Sequence, residues 1–208
     1  MPTSRVIAAV NPKGGTGKTT VAVHLAVAVH RAGQGVTLFD ADPQGSALDW
    51  HRRTPDGYDD PKVEQVGRNR TLAAAIEQTE SDVVVIDSPA RLDEQTGRVL
   101  SSSDLALVPV RPSGLDLWGT AEFLEVLNEH VDRGLNAAFV ASQADVRTSL
   151  SDELEGALSG LGLPMLDGLT LRVSYARSLS EGRTVLDGGD RGAIEEVEAL
   201  YNDVTGLL

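Results

Sequence analysis

The residues best suited to chemistry stand in one stretch, NPKGGTGKTT, residues 11–20. Gly14, Gly15, Thr16 and Gly17, followed by Lys18, Thr19 and Thr20, match the phosphate-binding loop G-x-x-x-x-G-K-[ST] at all but its first glycine, where Pro12 stands. Glycines let backbone N–H groups converge on phosphate oxygens, and the N-terminus of a following helix adds its dipole. Lys18 would lie along the β- and γ-phosphates of a nucleoside triphosphate, and the Thr19 hydroxyl would ligate Mg2+. A second lysine, Lys13, stands inside the loop, and the whole chain has only three lysines. Its plainest reading is a solvated lysine beside a turn.

A phosphate site of this kind needs acids at the ends of neighbouring strands, because Mg2+ and an attacking water must be held there. Asp87 closes the apolar run DVVVIDSPA and is placed to hold a Mg2+-bound water. Asp40 and Asp42 close a second run, GVTLFDAD, which is expected to be a buried strand over 35–42. Taken singly, Asp40 could equally be a helix cap or a turn former. Three aspartates ending two buried strands beside a glycine loop are a constellation.

The elements that must position these groups are legible in outline. RVIAAVN (5–11) predicts a short strand running into the loop, and GKTTVAVHLAVAVHRAG a helix closed by Gly33. PQGSALDWHRR predicts a short helix, KVEQVG an edge strand and TLAAAIEQTE a helix. DVVVIDSPA (82–90) and LALVPVRP (105–112) read as strands covered on both faces. A helix over 115–134, a strand over 136–143, a helix over 149–162 and a last strand over 164–172 follow. A polar, turn-rich segment is expected next, then the helix GAIEEVEALYNDVTGLL. Alternating strands and helices imply βαβ units. The expected fold is α/β: a single P-loop NTPase domain over residues 1–208, a mostly parallel twisted sheet of about seven strands with helices on both faces.

Composition narrows the class further. The chain of 208 residues contains no cysteine, which excludes structural disulfides, thiolate metal sites, iron–sulfur clusters and cysteine nucleophiles. The N-terminus has too short an apolar run for a secretory signal. The longest apolar-rich stretch, VAVHLAVAVH, falls far short of the ~20 residues that span a bilayer. A cytoplasmic protein is expected. His24, His30, His51 and His130 lack metal-ligand spacing and are assigned no site. Trp50 could pack in the core or at a surface shared with a partner.

Together, KGGTGKTT (13–20), DADPQGS (40–46) and VVVIDSPA (83–90) resemble the ParA/MinD family of deviant Walker ATPases, and within it the small ParF-like ParA proteins. PVRPSGLDLWG (109–119) and SYARSLSEGRTV (174–185) stand where that family has comparable segments. The resemblance implies a slow, partner-stimulated ATP hydrolase that uses ATP and Mg2+ and forms a homodimer in its ATP state. It implies that Lys13 crosses the dimer interface to the phosphates of the partner subunit's nucleotide, like an arginine finger. It further implies that Asp42 orients the attacking water, that Asp40 supports the same loop, and that the segment after Asp87 senses the γ-phosphate. Adenine would lie near Gln143 and Arg172.

Within the family, the absence of cysteines excludes iron-protein relatives. The C-terminal helix carries four acids and no base after Arg191, unlike the basic amphipathic helix of membrane-bound MinD-type regulators. What remains is a partition or positioning switch for plasmid or chromosomal DNA or another cytoplasmic cargo, nucleoid-associated when ATP-bound. A cargo adaptor of ParB or ParG type would stimulate hydrolysis. The alternatives are a metabolic ATP-dependent enzyme of carboxylase or amidoligase type, and the MinD-like membrane regulator. Nonspecific DNA binding would use Arg172, Arg177, Arg183 and Arg191, although each taken singly reads first as a solvated surface residue and only second as a DNA contact. Asp167, Glu181, Asp187 and Asp190 share that segment and cancel its charge, and the chain as a whole carries −13. A second cluster, Arg52, Arg53, Arg68 and Arg70, is similarly diluted by acids.

Overall fold

Strong burial of contiguous apolar runs organises the molecule. A computed structural model describes residues 4–66, 71–111, 121–144 and 162–208. The strands are β1 (Arg5–Ala9), β2 (Val36–Asp40), β3 (Lys62–Gln65), β4 (Val83–Asp87), β5 (Leu105–Val110), β6 (Asn136–Ala144) and β7 (Met165–Thr170). They form one seven-stranded sheet in the order β3-β2-β4-β1-β5-β6-β7, with every neighbouring pair parallel. All residues of β2, β4 and β5 are buried, as covered parallel strands require. The helices among the described residues are α1 (Lys18–Arg31), α2 (Ser46–His51), α3 (Leu72–Gln78), α4 (Glu94–Ser101), α5 (Ala121–Val131), α6 (Val173–Ser180) and α7 (Arg191–Leu207).

The period-2 alternation of the strands divides the core between the two faces. Ile7 and Ala9 of β1 face the larger cluster, which includes α1 and α7 residues such as Leu25, Val197 and Leu200. Val6 and Ala8 face a second cluster with Phe39, Ile86 and Val99. A third, around Val108, Phe123, Leu127 and Phe139, covers β5 and β6. Helix α1 is rich in valine, a weak helix former, and its stability comes from burial. It is buried from Val21 to Val27 without a break, with Gly33 in a left-handed conformation ending it.

Several boundaries differ from the expectation. β2 stops at Asp40, so Asp42 belongs to the following loop: the Asp42 N–H donates to the Asp40 carboxylate at 3.1 Å and leaves the ladder. The segment expected to be turn-rich after β7 contains α6, which buries Tyr175. Trp50 is core, its indole N–H donating to the Arg183 carbonyl at 3.0 Å. The helix expected over 149–162 lies, but for Gly162, outside the described residues, as do Pro112, Trp118, Arg68 and Arg70 and the start of the helix expected over 115–134.

The β6–β7 pairing carries register shifts around Ser142. Gly168, at φ 67°, makes the close approach possible, since a Cβ there would stand 2.0 Å from the Ala141 carbonyl oxygen. Gly168→Ala is therefore expected to lower stability by about 3 kcal/mol, or Tm by roughly 6–12 °C. Gly189→Ala, where a Cβ meets nothing within 4 Å, should leave Tm nearly unchanged. Equal thermal shifts in the two variants would contradict this account of the bulge.

Candidate functional site: a phosphate loop at the strand ends

The loop after β1 is fixed by its own first polar residue. Asn11 is buried; its Nδ2 donates to the Pro109 carbonyl at 2.8 Å, and its Oδ1 accepts the Lys13 N–H at 2.9 Å. One side chain thus extends the pairing of β1 with β5 and shapes the loop where the usual first glycine is missing. Gly15 and Gly17 adopt left-handed conformations, φ 74° and 92°. Gly17 is required twice over, because a Cβ on it would come within 2.4 Å of Ser142 Oγ. Helix α1 starts with no side-chain cap and no acid in its first turn, which leaves its N-terminal donors suited to an anion.

Lys18 is almost fully buried and its ammonium donates to the Lys13 carbonyl at 3.0 Å. Burial lowers its pKa, opposed by the charges of Asp87 and Asp42. Thr19 Oγ1 donates to Asp87 Oδ2 at 2.7 Å, tying α1 to the end of β4. Burial pushes the Asp87 carboxyl up to about 7, against the stabilising hydrogen bond from Thr19. Its other oxygen, Oδ1, and the neighbouring Ser88 Oγ are buried without hydrogen-bond partners.

That orphaned acceptor beside a hydroxyl fits Mg2+, which binds hard oxygen ligands and keeps several waters. Among the described residues no three His, Cys, Asp or Glu side chains group around a possible metal site. This suits an ion whose shell is completed by phosphate oxygens and water rather than by a protein cage.

Asp40 is fully buried and both its oxygens accept backbone donors, Asp42 N–H at 3.1 Å and Leu48 N–H at 2.9 Å. Burial nonetheless raises its pKa, those hydrogen bonds opposing. It thereby anchors the turn that presents Asp42. Asp42 accepts the Gln44 N–H at 2.9 Å, and its carbonyl accepts the Gly45 N–H in a tight turn through Pro43. Gln95 of α4, behind the segment that follows Asp87, donates to the Ala41 carbonyl at 2.9 Å and couples that segment to the Asp42 loop.

Gln143 and Arg172 border one cavity of about 260 Å3, next to Thr20 of α1. Gln143 has φ 54°, the one non-glycine in the left-handed region among the described residues, and its Nε2 donates to the Gly15 carbonyl at 2.9 Å. Two larger cavities, about 430 and 590 Å3, open around Ser4, Arg5 and Leu208 at the opposite, N-terminal ends of the strands. No loop residue borders them, so size does not mark the site. Of the four C-terminal arginines, Arg172 is held by Glu196 and Asp190. Arg177 pairs with Glu181, Arg191 with Glu195, and Arg183 lies over the Tyr58 ring.

Two buried supports were invisible as local patterns. Asn11 is one. His24, one turn below Thr20, is the other: its Nδ1–H donates to the Thr20 carbonyl at 2.8 Å and its Nε2 accepts the Val185 N–H at 3.2 Å. A lone histidine in an otherwise apolar helix face was the available signal.

A strand, a glycine loop that opens a buried helix, and a hydroxyl–carboxylate pair at the adjoining strand end define a P-loop nucleotide-binding protein. The chain belongs to the CobQ/CobB/MinD/ParA nucleotide-binding domain family, whose model matches residues 7–185. It is 31% identical over 207 residues to the maintenance of carboxysome distribution protein A of Halothiobacillus neapolitanus, covering 95% of each chain. It is likewise 31% identical over 188 residues to the chromosome-partitioning ATPase Soj of Thermus thermophilus, covering 74% of this chain and 75% of that one. Among solved structures, its fold matches a putative plasmid partition protein from Borrelia burgdorferi B31 bound to AMPPNP, at TM-score 0.79 and 15% identity, covering 99% and 100% of the two chains. It is an ATPase of the ParA/MinD class, and ATP with Mg2+ is the class's substrate and ion.

Burial holds His24 at a pKa of about 4, against an ordinary 6.5, with the Thr20 carbonyl and the Asp187 charge opposing. Neutral His24 therefore contributes stability that is complete above pH 6.5 and is lost as pH falls towards 4, about 3 kcal/mol in all. Between pH 7.5 and 4.5 the wild type should lose about 2–3 kcal/mol more than His24→Leu in urea titrations. Parallel pH profiles would show that another group governs the acid limb.

Proposed function

We propose that the chain is a Mg2+-ATP-dependent dimerising switch that positions a cytoplasmic cargo or partitions DNA. The observation that carries this reading is the different presentation of the loop's two lysines. Lys18 is buried and tied to the loop that contains it. Lys13 is half-exposed beside Gly14 and Gly15, which are exposed, and a Cβ on Gly14 would meet nothing within 4 Å. A second copy can approach there, and Lys13 then neutralises charge building on the partner's transferred phosphoryl group. Lys18 and Thr19 hold the nucleotide and Mg2+, Asp87 receives an ion-bound water, and Asp42 orients the attacking water on the turn that Asp40 anchors. Mg2+ when bound supplies charge neutralisation at the phosphates.

Similarity to a carboxysome-distribution protein and to a chromosome-partitioning ATPase supports cargo positioning as the output. Attachment to a membrane through α7 is disfavoured because its apolar face, Ala193, Val197, Leu200 and Val204, is already buried in the core. Among the described residues no helix is long and apolar enough to cross a membrane. Nonspecific DNA contact by the dimer and nucleoid association belong to the same reading. Three of the four arginines nearest to that role, Arg172, Arg177 and Arg191, are shared with acids, so contact through them has to displace existing pairs.

Asp42→Ala with saturating Mg2+-ATP should accumulate as a dimer by light scattering, with hydrolysis reduced at least about 100-fold. Adding Lys13→Ala should return that variant to monomer while leaving ATP binding largely intact. An Asp42→Ala protein that stays monomeric would remove Asp42 from the water-positioning role. A double variant that still dimerises would remove Lys13 from the interface.

A further inference from the structure

Three residues that border the 260 Å3 cavity, Thr170, Arg172 and Tyr175, direct their polar groups to one acid outside its lining. Glu196 Oε1 accepts from Thr170 Oγ1 at 2.7 Å, Arg172 Nε at 2.9 Å and Arg172 Nη2 at 2.7 Å. Its Oε2 accepts from the Thr170 N–H at 3.0 Å and the Tyr175 hydroxyl at 2.7 Å. This acid stands on α7, and its ligands come from the end of β7 and the start of α6.

The packing around Arg172 is shaped for the same purpose. Its guanidinium lies across the first turn of α7, where a Cβ on Gly192 would be 2.6 Å from Nη2 and 3.0 Å from Cζ. Asp190, which caps α7 by accepting the Ala193 N–H, receives Nη1 at 3.4 Å. A planar fork held on two acids is oriented as well as neutralised.

We propose that Glu196 is a positioning residue of the base subsite: it locks Arg172 and Tyr175 into the cavity wall and cancels the arginine's charge there. This rests on the reading of the cavity as the place of the nucleotide base. The consequence is a division of labour between two adjoining pockets. An uncompensated guanidinium so near Thr20 would attract phosphate oxygens and compete with the glycine loop. Held on Glu196 and, at longer range, on Asp190, the guanidinium leaves the wall without net positive charge, which suits an uncharged heteroaromatic ring and leaves the phosphates to the loop and Lys18.

Titration of Mg2+-ADP and of Mg2+-pyrophosphate into the full chain tests this, since the two share the phosphate contacts and differ in the base. Glu196→Gln is expected to weaken ADP about fivefold to tenfold while pyrophosphate affinity stays within about twofold or tightens. Gly192→Ala, which changes no charge but displaces the guanidinium, should shift the ratio in the same direction by a smaller factor. It also carries the test if Glu196→Gln does not fold. Ala176→Trp, filling the cavity from its exposed rim, should weaken ADP and spare pyrophosphate. If Ala176→Trp weakens ADP but neither Glu196→Gln nor Gly192→Ala does, the positioning role is overturned and the subsite stands. If both ligands weaken equally in those two variants, Glu196 is a support of the fold alone and the proposal fails. If Ala176→Trp leaves ADP binding unchanged, the base lies elsewhere, and the subsite reading falls together with the proposal.

Discussion

Burying three ionisable groups together at the C-terminal ends of a sheet's inner strands is the constraint on which this structure depends. Lys18, Asp40 and Asp87 are each almost wholly removed from water, the lysine at the start of α1 and the two acids at the ends of strands that must lie side by side. The in-register pairing of β2 with β4 sets Asp40 directly beside Asp87. Leaving such groups unsatisfied would cost several kcal/mol apiece, so each is held differently. Lys18 has a carbonyl, Asp40 two backbone donors, and Asp87 the Thr19 hydroxyl on one oxygen. The acceptor left over, Asp87 Oδ1, is what a hydrated divalent cation would use.

The scaffold can carry that burden because it is apolar on both faces and its strand ends are fixed by side chains rather than by the ladder alone. β1 stops pairing with β5 at Leu107, and Asn11 takes over by donating to Pro109, a residue with no N–H of its own. Beyond β2, Asp40 accepts the donor that the ladder gives up. The glycine loop is thus bounded by polar residues whose partners are remote in sequence. This is why loop position was legible in the chain and its bracing was not.

The same distinction runs through the rest of the molecule. Contiguous valine, isoleucine and leucine runs announced β1, β2, β4 and β5, because covered parallel strands allow no alternation of polar residues. The loop announced itself because its chemistry is local: glycines, a lysine and a threonine in one turn. Helix α6 is not legible in the sequence because VSYARSLS carries three serines and only Tyr175 is fully buried, with Leu179 partly buried against the core. The Tyr175 ring meets His24 edge-on at 5.1 Å, and its hydroxyl reaches α7. The first of these contacts joins residues more than a hundred positions apart, the others join neighbouring elements, and no periodicity reports any of them. Asp42 was assigned to a strand because apolar residues precede it; the local turn formed by Asp42, Pro43 and Gly45 overrides that run.

Ion pairing among the C-terminal arginines separates them by what it costs to redirect them. Arg177–Glu181 and Arg191–Glu195 are exposed pairs one helical turn apart, a class worth about 0.3–0.5 kcal/mol. A polyanion can recruit such side chains with little loss. Arg172 is different, since its guanidinium is shared between Glu196 and Asp190 over a glycine that makes room for it. Pulling it away would strand Glu196, whose side chain is 16% exposed, without its counter-charge. Arg172, which lines the cavity next to Thr20, is therefore the least free of these side chains to turn to a polyanion, and Arg177 and Arg191 are freer to do so.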